Sequence, residues 1–173
     1  CAGERAPVLS RLGGRPPYLL FAGRLEPRKN PVRLLEAYAR LREALGGGTP
    51  ALVLAGEKTW NGREVDAAIA ARGLQPFVVE TGHVSQQDLA ALYSGAEAFV
   101  FPSLWEGFGI PPLEAMACGT PVVASAAPSI PEVTGGAALL VDPLSPAAIA
   151  DALRRVLTDA ALATTLREAG LAR

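Results

Sequence analysis

Two carboxylates, Glu106 and Glu114, stand at the ends of the segment EGFGIPPLE, separated by two glycines, two prolines and otherwise apolar side chains. Ionised carboxylates accept hydrogen bonds from paired hydroxyls and repel phosphate. Gly107 and Gly109 permit a tight loop with exposed N–H groups, and Pro111 and Pro112 lead into a helix whose positive N-terminus attracts an anion. Acids flanking an anion-binding loop suit a ligand with phosphates in its middle and polyols at both ends, the layout of a nucleotide sugar. On spacing alone the segment also reads as an ordinary strand-to-helix turn, with Glu114 a favourable acid in the first helical turn.

A second group of chemistry-bearing residues is GRLEPRKN at 23–30. Gly23 allows close backbone approach, and Arg24, Arg28 and Lys29 place three cations within six residues. Taken alone, three loop cations are equally a solvated surface. The segment lacks G-x-G-x-x-G, so phosphate would be held mainly by side chains, with Arg gripping two oxygens and Lys acting as a point charge.

Both groups follow short apolar runs, and those runs define the elements that must position them. Candidate strands start at Tyr18 (YLLFAG), Ala51 (ALVLAG), Phe77 (FVVETG), Ala98 (AFVFPS), Pro121 (PVVAS) and Ala137 (AALLV). They are apolar throughout instead of alternating, as expected of parallel strands covered on both faces. Helical spacing fills the connections. Asn30 is placed to cap a helix that starts at Pro31 and lines Leu34, Leu35, Tyr38, Leu41 and Leu45 on one face before GGG at 46–48. Ser85 with Asp88 resembles a capping box. Ser145 and Pro146 open a helix with Ile149, Leu153, Val156 and Leu157 inward, and a last helix runs from about Asp159. Alternation without internal repeats predicts an α/β domain, a Rossmann-like doubly wound parallel six-stranded sheet with helices on both faces. Ligands of such sheets bind beyond the carboxyl ends of the strands.

At 173 residues the chain fits a single domain spanning 1–173. Net charge is −1 and the sixteen cations are thinly spread, so nucleic acid is not an expected partner. No apolar run approaches the roughly 20 residues that span a bilayer. The two cysteines, Cys1 and Cys118, suggest neither a disulfide framework nor a metal cluster, and a reducing, cytoplasmic setting is expected. The first residue is not Met, and the chain reads as a fragment.

The motifs, from YLLFAGRLEPRKN through TGHVSQQDLAALYSGAEAFVFPSLWEGFGIPPLEAMACGTPVVAS to LREAGLAR, resemble the C-terminal, donor-binding domain of a retaining glycosyltransferase of the GT-B fold, family 4. EPRKNP is similar to bacterial mannosyltransferase-like members, which implies GDP-mannose. By the resemblance, Arg24 and Lys29 neutralise the donor diphosphate beside Gly23, and amides near Gly107, Phe108 and Gly109 hold phosphate and sugar. Glu106 lies against the transferred hexose, Glu114 accepts the ribose hydroxyls, and the GHV loop with Val84 borders the base. No D-x-D occurs, in agreement with a metal-independent donor site without a cofactor. The expected partners are a nucleotide sugar and the protein's own N-terminal acceptor domain, absent from this chain. Membrane association, peripheral to the inner face, would run through that domain. Alone, the chain would bind donor and transfer nothing. The competing readings are a sugar-nucleotide epimerase or phosphorylase of the same fold and a non-catalytic nucleotide-binding module. The cofactor lysine and phosphate pocket of a phosphorylase are not identifiable. Cys118 is expected in the core, the lone His83 as a loop contact, and Glu132 as the cap of a short helix.

Overall fold

A computed structural model of the chain describes residues 17–60 and 62–173. Its six strands are β1 (Tyr18–Ala22), β2 (Ala51–Ala55), β3 (Val78–Gly82), β4 (Ala98–Phe101), β5 (Val122–Ser125) and β6 (Ala138–Val141). They form one sheet in the order β3-β2-β1-β4-β5-β6, with every neighbouring pair parallel. The helices are α1 (Pro31–Leu45), α2 (Gly62–Ala71), α3 (Gln86–Gly95), α4 (Ile110–Ala117), α5 (Ile130–Thr134), α6 (Pro146–Thr158) and α7 (Ala160–Ala172). All six expected strands are present, and the doubly wound arrangement follows.

The solid apolar runs of β1, β2, β4 and β5 exist because both sides of these inner strands are covered, while the edge strands β3 and β6 are only half-buried. Leu19, Phe21, Leu52, Leu54, Val100 and Val123 pack into one cluster with Leu34, Tyr38, Val65, Ile149 and Leu153 from α1, α2 and α6. The alternate residues Tyr18, Leu20, Val53, Phe99, Phe101 and Val122 pack on the other side with Leu92 and Tyr93 of α3 and Ala115 and Met116 of α4. Fully burying one such aliphatic or aromatic side chain contributes about 1.5–3 kcal/mol, so each helix docks through a few residues at helical spacing.

Helix starts follow local chemistry at three of the four expected places. Ser85 Oγ accepts from Asp88 N at 3.1 Å, Ser145 Oγ accepts from Ala148 N at 3.1 Å, and Asp159 Oδ1 accepts from Leu162 N at 3.0 Å. Asn30 departs from expectation. It precedes α1 but has φ 63°, and its side chain makes no capping bond. Its amide instead donates to Pro102 O at 3.0 Å and Pro143 O at 2.7 Å. Anchoring to those two carbonyls fixes the side chain so that its Oδ1 accepts from Arg33 Nη1 at 3.2 Å instead of from a helix N–H, and the α1 start is left to Pro31, whose missing N–H costs nothing there. Helix α2 escaped sequence reading because GREVDAAIAA offers only Val65 and Ile69 as strong apolar signals among alanines.

The strand order reverses between β1 and β4, which makes their carboxyl ends the switch point where such sheets bind ligands. The loops after these two strands hold GRLEPRKN and EGFG. Their placement depends on close backbone packing at Gly56, after β2. Its φ is +152°, and a Cβ there would lie 2.0 Å from Gly23 O, so the two glycines bring the β1 and β2 loops into contact. Gly56→Ala should therefore lose about 3 kcal/mol or more of stability by combining a backbone clash with strain. Urea denaturation of the two proteins measures this, and a loss under about 1 kcal/mol would mean that the β1 loop yields easily.

Candidate functional site

The β1 loop climbs from Gly23 through a short 3-10 turn, Pro27–Lys29, and places consecutive cations Arg28 and Lys29 against the β4 loop. Lys29 Nζ lies 2.6 Å from Glu106 Oε1 and 4.8 Å from the centre of the Phe101 ring, at the end of β4. Arg28 Nη1 donates to Glu106 Oε2 at 2.8 Å and to Trp105 O at 3.0 Å, while its Nη2 donates to Glu26 Oε1 at 2.8 Å. The backbones are laced as well, since Leu104 N donates to Arg28 O at 2.8 Å. Ser129 Oγ closes the far side by donating to Glu106 O at 3.2 Å.

Glu106 is 8% exposed and Lys29 9%. Burial pushes the Glu106 carboxyl up. Hydrogen bonds from Lys29 and Arg28, with the Lys29 charge, outweigh burial and hold it below the usual carboxylate range. The Ser103 hydroxyl lies near enough to favour the charged form but outside regular hydrogen-bond geometry. Glu106 is thus a fixed anion near neutral pH, suited to electrostatic work and unsuited to donating a proton.

Beyond Glu106 the chain turns at Gly109, φ 92°, into α4, with Pro111 and Pro112 in the first turn. A Cβ on Gly109 would come 2.4 Å from Ile130 Cδ1, which reserves the position for glycine. The N–H groups of Gly107, Phe108 and Gly109 make no hydrogen bond among the described residues, so the loop presents free donors at a helix N-terminus. Trp105, Phe108 and Ile110 are all more than half exposed around it.

Glu114 lies past the first turn of α4, where it is exposed instead of serving the helix N-terminus. Tyr93 O–H donates to its Oε2 at 3.1 Å. Burial first, then the neighbouring Glu114 charge, pushes the Tyr93 phenol well up, so Tyr93 keeps its proton and donates it in the hydrogen bond to Glu114. Glu114, Tyr93, Gln86 and Leu89 line a groove of about 340 Å³ that Cys118 also borders. Cys118, expected in the core, sits half-buried at the end of α4, because Met116 takes the inward position. Cys1 lies outside the described residues. Glu132 falls in the first turn of α5, while Ser129 holds the cap position.

On the other side of the β1 loop, Leu25, Glu57, Lys58, Glu80, Gly82 and the exposed His83 line a cleft of about 460 Å³. Lys58 there ties Asp66 of α2 to Glu80 of β3. Val84 is half-buried beside the second core. No group of three His, Cys, Asp or Glu residues is placed to hold a metal ion among the described residues.

The expected site residues therefore divide. Lys29, Glu106 and the 107–109 amides are brought together, and Glu114 opens onto an adjoining groove. Arg24 is exposed and its side chain has no hydrogen bond or ion pair among the described residues, whereas Arg28 takes the place beside Glu106. The sequence showed three cations in one loop. It held no signal for which of them the 3-10 turn would face inward.

Because its carboxyl is held low, Glu106 contributes stability that is fully present above the ordinary carboxylate range and is lost as pH falls through its folded-state value. In thermal melts from pH 7 to pH 3, the difference between the native protein and Glu106→Gln should stay constant above the ordinary carboxylate range and change as pH falls from that range toward the folded-state value. A difference independent of pH would mean that the Lys29 and Arg28 bonds do not hold the charge.

This chain matches the family model for glycosyl transferases group 1 over residues 7–173. It is 40% identical over 142 residues to O-antigen chain mannosyltransferase B of Escherichia coli, covering 82% of this chain and 37% of that protein. Among solved structures, sucrose-phosphate synthase from Thermosynechococcus elongatus superposes with a TM-score of 0.80 at 33% identity, over 96% of this chain and 43% of that one. The C-terminal domain of a glycosyl transferase group 1 family protein from Francisella tularensis gives 0.83 at 25% identity, over 98% of this chain and 90% of that one. The chain spans less than two-fifths of the length of the curated relatives it matches. No helix among the described residues is long and apolar enough to cross a membrane. With its six-stranded parallel sheet covered on both faces, the chain belongs to the glycosyl transferases group 1 and has the fold of the C-terminal domain of a GT-B glycosyltransferase.

Proposed function

We propose that this chain is the donor half of a retaining, metal-independent hexosyltransferase and binds a nucleoside-diphosphate sugar across the β1/β4 switch point. The observation that carries the reading is the Lys29–Glu106 pair, 2.6 Å apart beside three free amides at the start of α4. In this reading the diphosphate lies between Lys29 and those amides, with Arg24 reaching it from the exposed side. The sugar meets Glu106, the ribose meets Glu114, and the base lies toward Val84.

Departure of the nucleoside diphosphate leaves positive charge on the sugar and adds negative charge to the phosphate oxygens. Lys29 and the amides meet the growing anion. Glu106, kept ionised by its own partners, meets the growing cation. The chemistry needs no proton on Glu106. The resemblance to mannosyltransferases favours mannose delivered from GDP-mannose. The acceptor would be held by an N-terminal domain facing the same rim, in a protein that works in the cytoplasm.

Calorimetry of this chain with GDP, UDP, ADP and their sugars tests the proposal. Binding of GDP and GDP-mannose above the others is expected, and absence of binding to any of them would overturn the donor-site reading. A charge-assisted hydrogen bond contributes about 1.5–3 kcal/mol, so Arg24→Ala should weaken nucleotide affinity by roughly tenfold to a hundredfold. Since the Arg24 side chain is exposed and has no hydrogen bond or ion pair among the described residues, the melting temperature should not move. Unchanged affinity in that variant would remove Arg24 from the site.

A further inference from the structure

Lys29 carries one positive charge and Glu106 already uses it. An anion arriving at Lys29 therefore meets a carboxylate 2.6 Å from the same ammonium. Were Lys29 the sole partner of Glu106, turning to phosphate would leave an almost fully buried carboxylate unpaired beside a second anion, the costliest arrangement of all.

We propose that Arg28 is a positioning residue that retains Glu106 while Lys29 turns to the donor's phosphate, so that anion binding exchanges one partner of Glu106 instead of stripping it. The inference rests on the donor-site reading above. Arg28 is built for retention. Its guanidinium is fixed by Glu26 Oε1 at 2.8 Å, Trp105 O at 3.0 Å and Glu106 Oε2 at 2.8 Å, and its carbonyl accepts from Leu104 N at 2.8 Å. None of these bonds passes through Lys29, so Arg28 keeps its place when Lys29 moves. Arg and Lys also take different oxygens, Oε2 and Oε1. The Lys29 bond is thus released without disturbing the Arg28 bond, which leaves Oε1 facing the ligand. Arg24 does not substitute, since it is exposed and no hydrogen bond or ion pair joins it to Glu106.

The arrangement predicts non-additivity. Without Arg28, Lys29 is the sole neutraliser of Glu106 and becomes harder to recruit. Arg28→Met should then weaken binding of nucleoside diphosphate to this chain about tenfold. With Glu106→Gln already in place no carboxylate needs retaining, and adding Arg28→Met should cost less than about twofold. Calorimetry of the four proteins, with whichever of GDP, UDP and ADP the native chain binds most tightly, closes the cycle. Arg28→Lys should recover part of the loss, because a cation at that position still reaches toward Oε2. Thermal melts accompany each protein, and Arg28→Gln replaces Arg28→Met should the latter fail to fold. Equal losses in both backgrounds would make Arg28 a direct phosphate contact or a general structural residue and would overturn the proposal, as would no loss at all. If the native chain binds no nucleoside diphosphate, the donor-site reading itself falls and this inference with it. Binding by the native chain with a flat cycle overturns the inference alone.

Discussion

The Glu106 carboxylate is an acid that solvent alone cannot keep ionised, and the neighbouring architecture is organised around that demand. At 8% exposure it would reprotonate or unfold its loop without charged partners. Lys29 and Arg28 supply them from a loop 77 residues away in sequence. The requirement works in both directions. Lys29 is itself nearly buried and is sustained by the carboxylate and by the face of Phe101. Each group makes the other's burial tolerable, and together they clamp the β1 and β4 loops at a fixed distance.

That clamp forms where it does because of sheet topology. In the order β3-β2-β1-β4-β5-β6, connections leave β1 toward one edge and β4 toward the other, and a crevice opens between their carboxyl ends. A crevice between diverging chains has no regular backbone ladder to hold it. Side chains must do that work. Asn30 shows this directly, joining Pro102 O after β4 to Pro143 O after β6 while sitting at the end of the β1 loop in a left-handed conformation. Ser129 adds a further tie from the loop after β5 to Glu106 O. Four of the six strand-end loops meet at this point through named polar contacts.

The sequence made the scaffold legible where the signal is local or repeated. Six apolar runs announce the six strands, the four inner ones buried on both faces, and Ser85, Ser145 and Asp159 mark helix starts because an N-cap bond needs only neighbouring atoms. Glu106 and the glycine loop were legible together because their spacing is set within one loop, and Lys29 was joined to them by the family resemblance. The roles decided by distant partners were not. Asn30 has the right identity for a cap, but its amide is anchored to two carbonyls more than 70 residues distant and its Oδ1 accepts from Arg33. Arg24 and Arg28 differ in role only through the turn at Pro27–Lys29, which rotates one inward and leaves the other exposed. Cys118 follows an apolar pattern that the helix end cuts short, so its thiol stays at the surface of a groove.

A site meant only to hold diphosphate would gain from cations and amides and lose from a carboxylate. Under the proposed function, the presence of Glu106 is therefore informative about what is being stabilised. Repulsion between Glu106 and bound phosphate weakens the ground state, in which the sugar is neutral and offers the carboxylate no opposite charge. When the glycosidic bond breaks, the sugar becomes cationic and the same carboxylate turns from a cost into a gain. A fixed negative charge of this kind separates the two states, which is the condition for raising turnover instead of merely tightening binding. It also favours release of the nucleoside diphosphate once the sugar has left, since the product alone again faces an anion with nothing between them. The low proton affinity of Glu106 is then a functional requirement, because a neutral acid at that place would discriminate between none of these states. Lys29 and Arg28 meet that requirement by keeping the carboxylate charged in a place where burial alone would neutralise it.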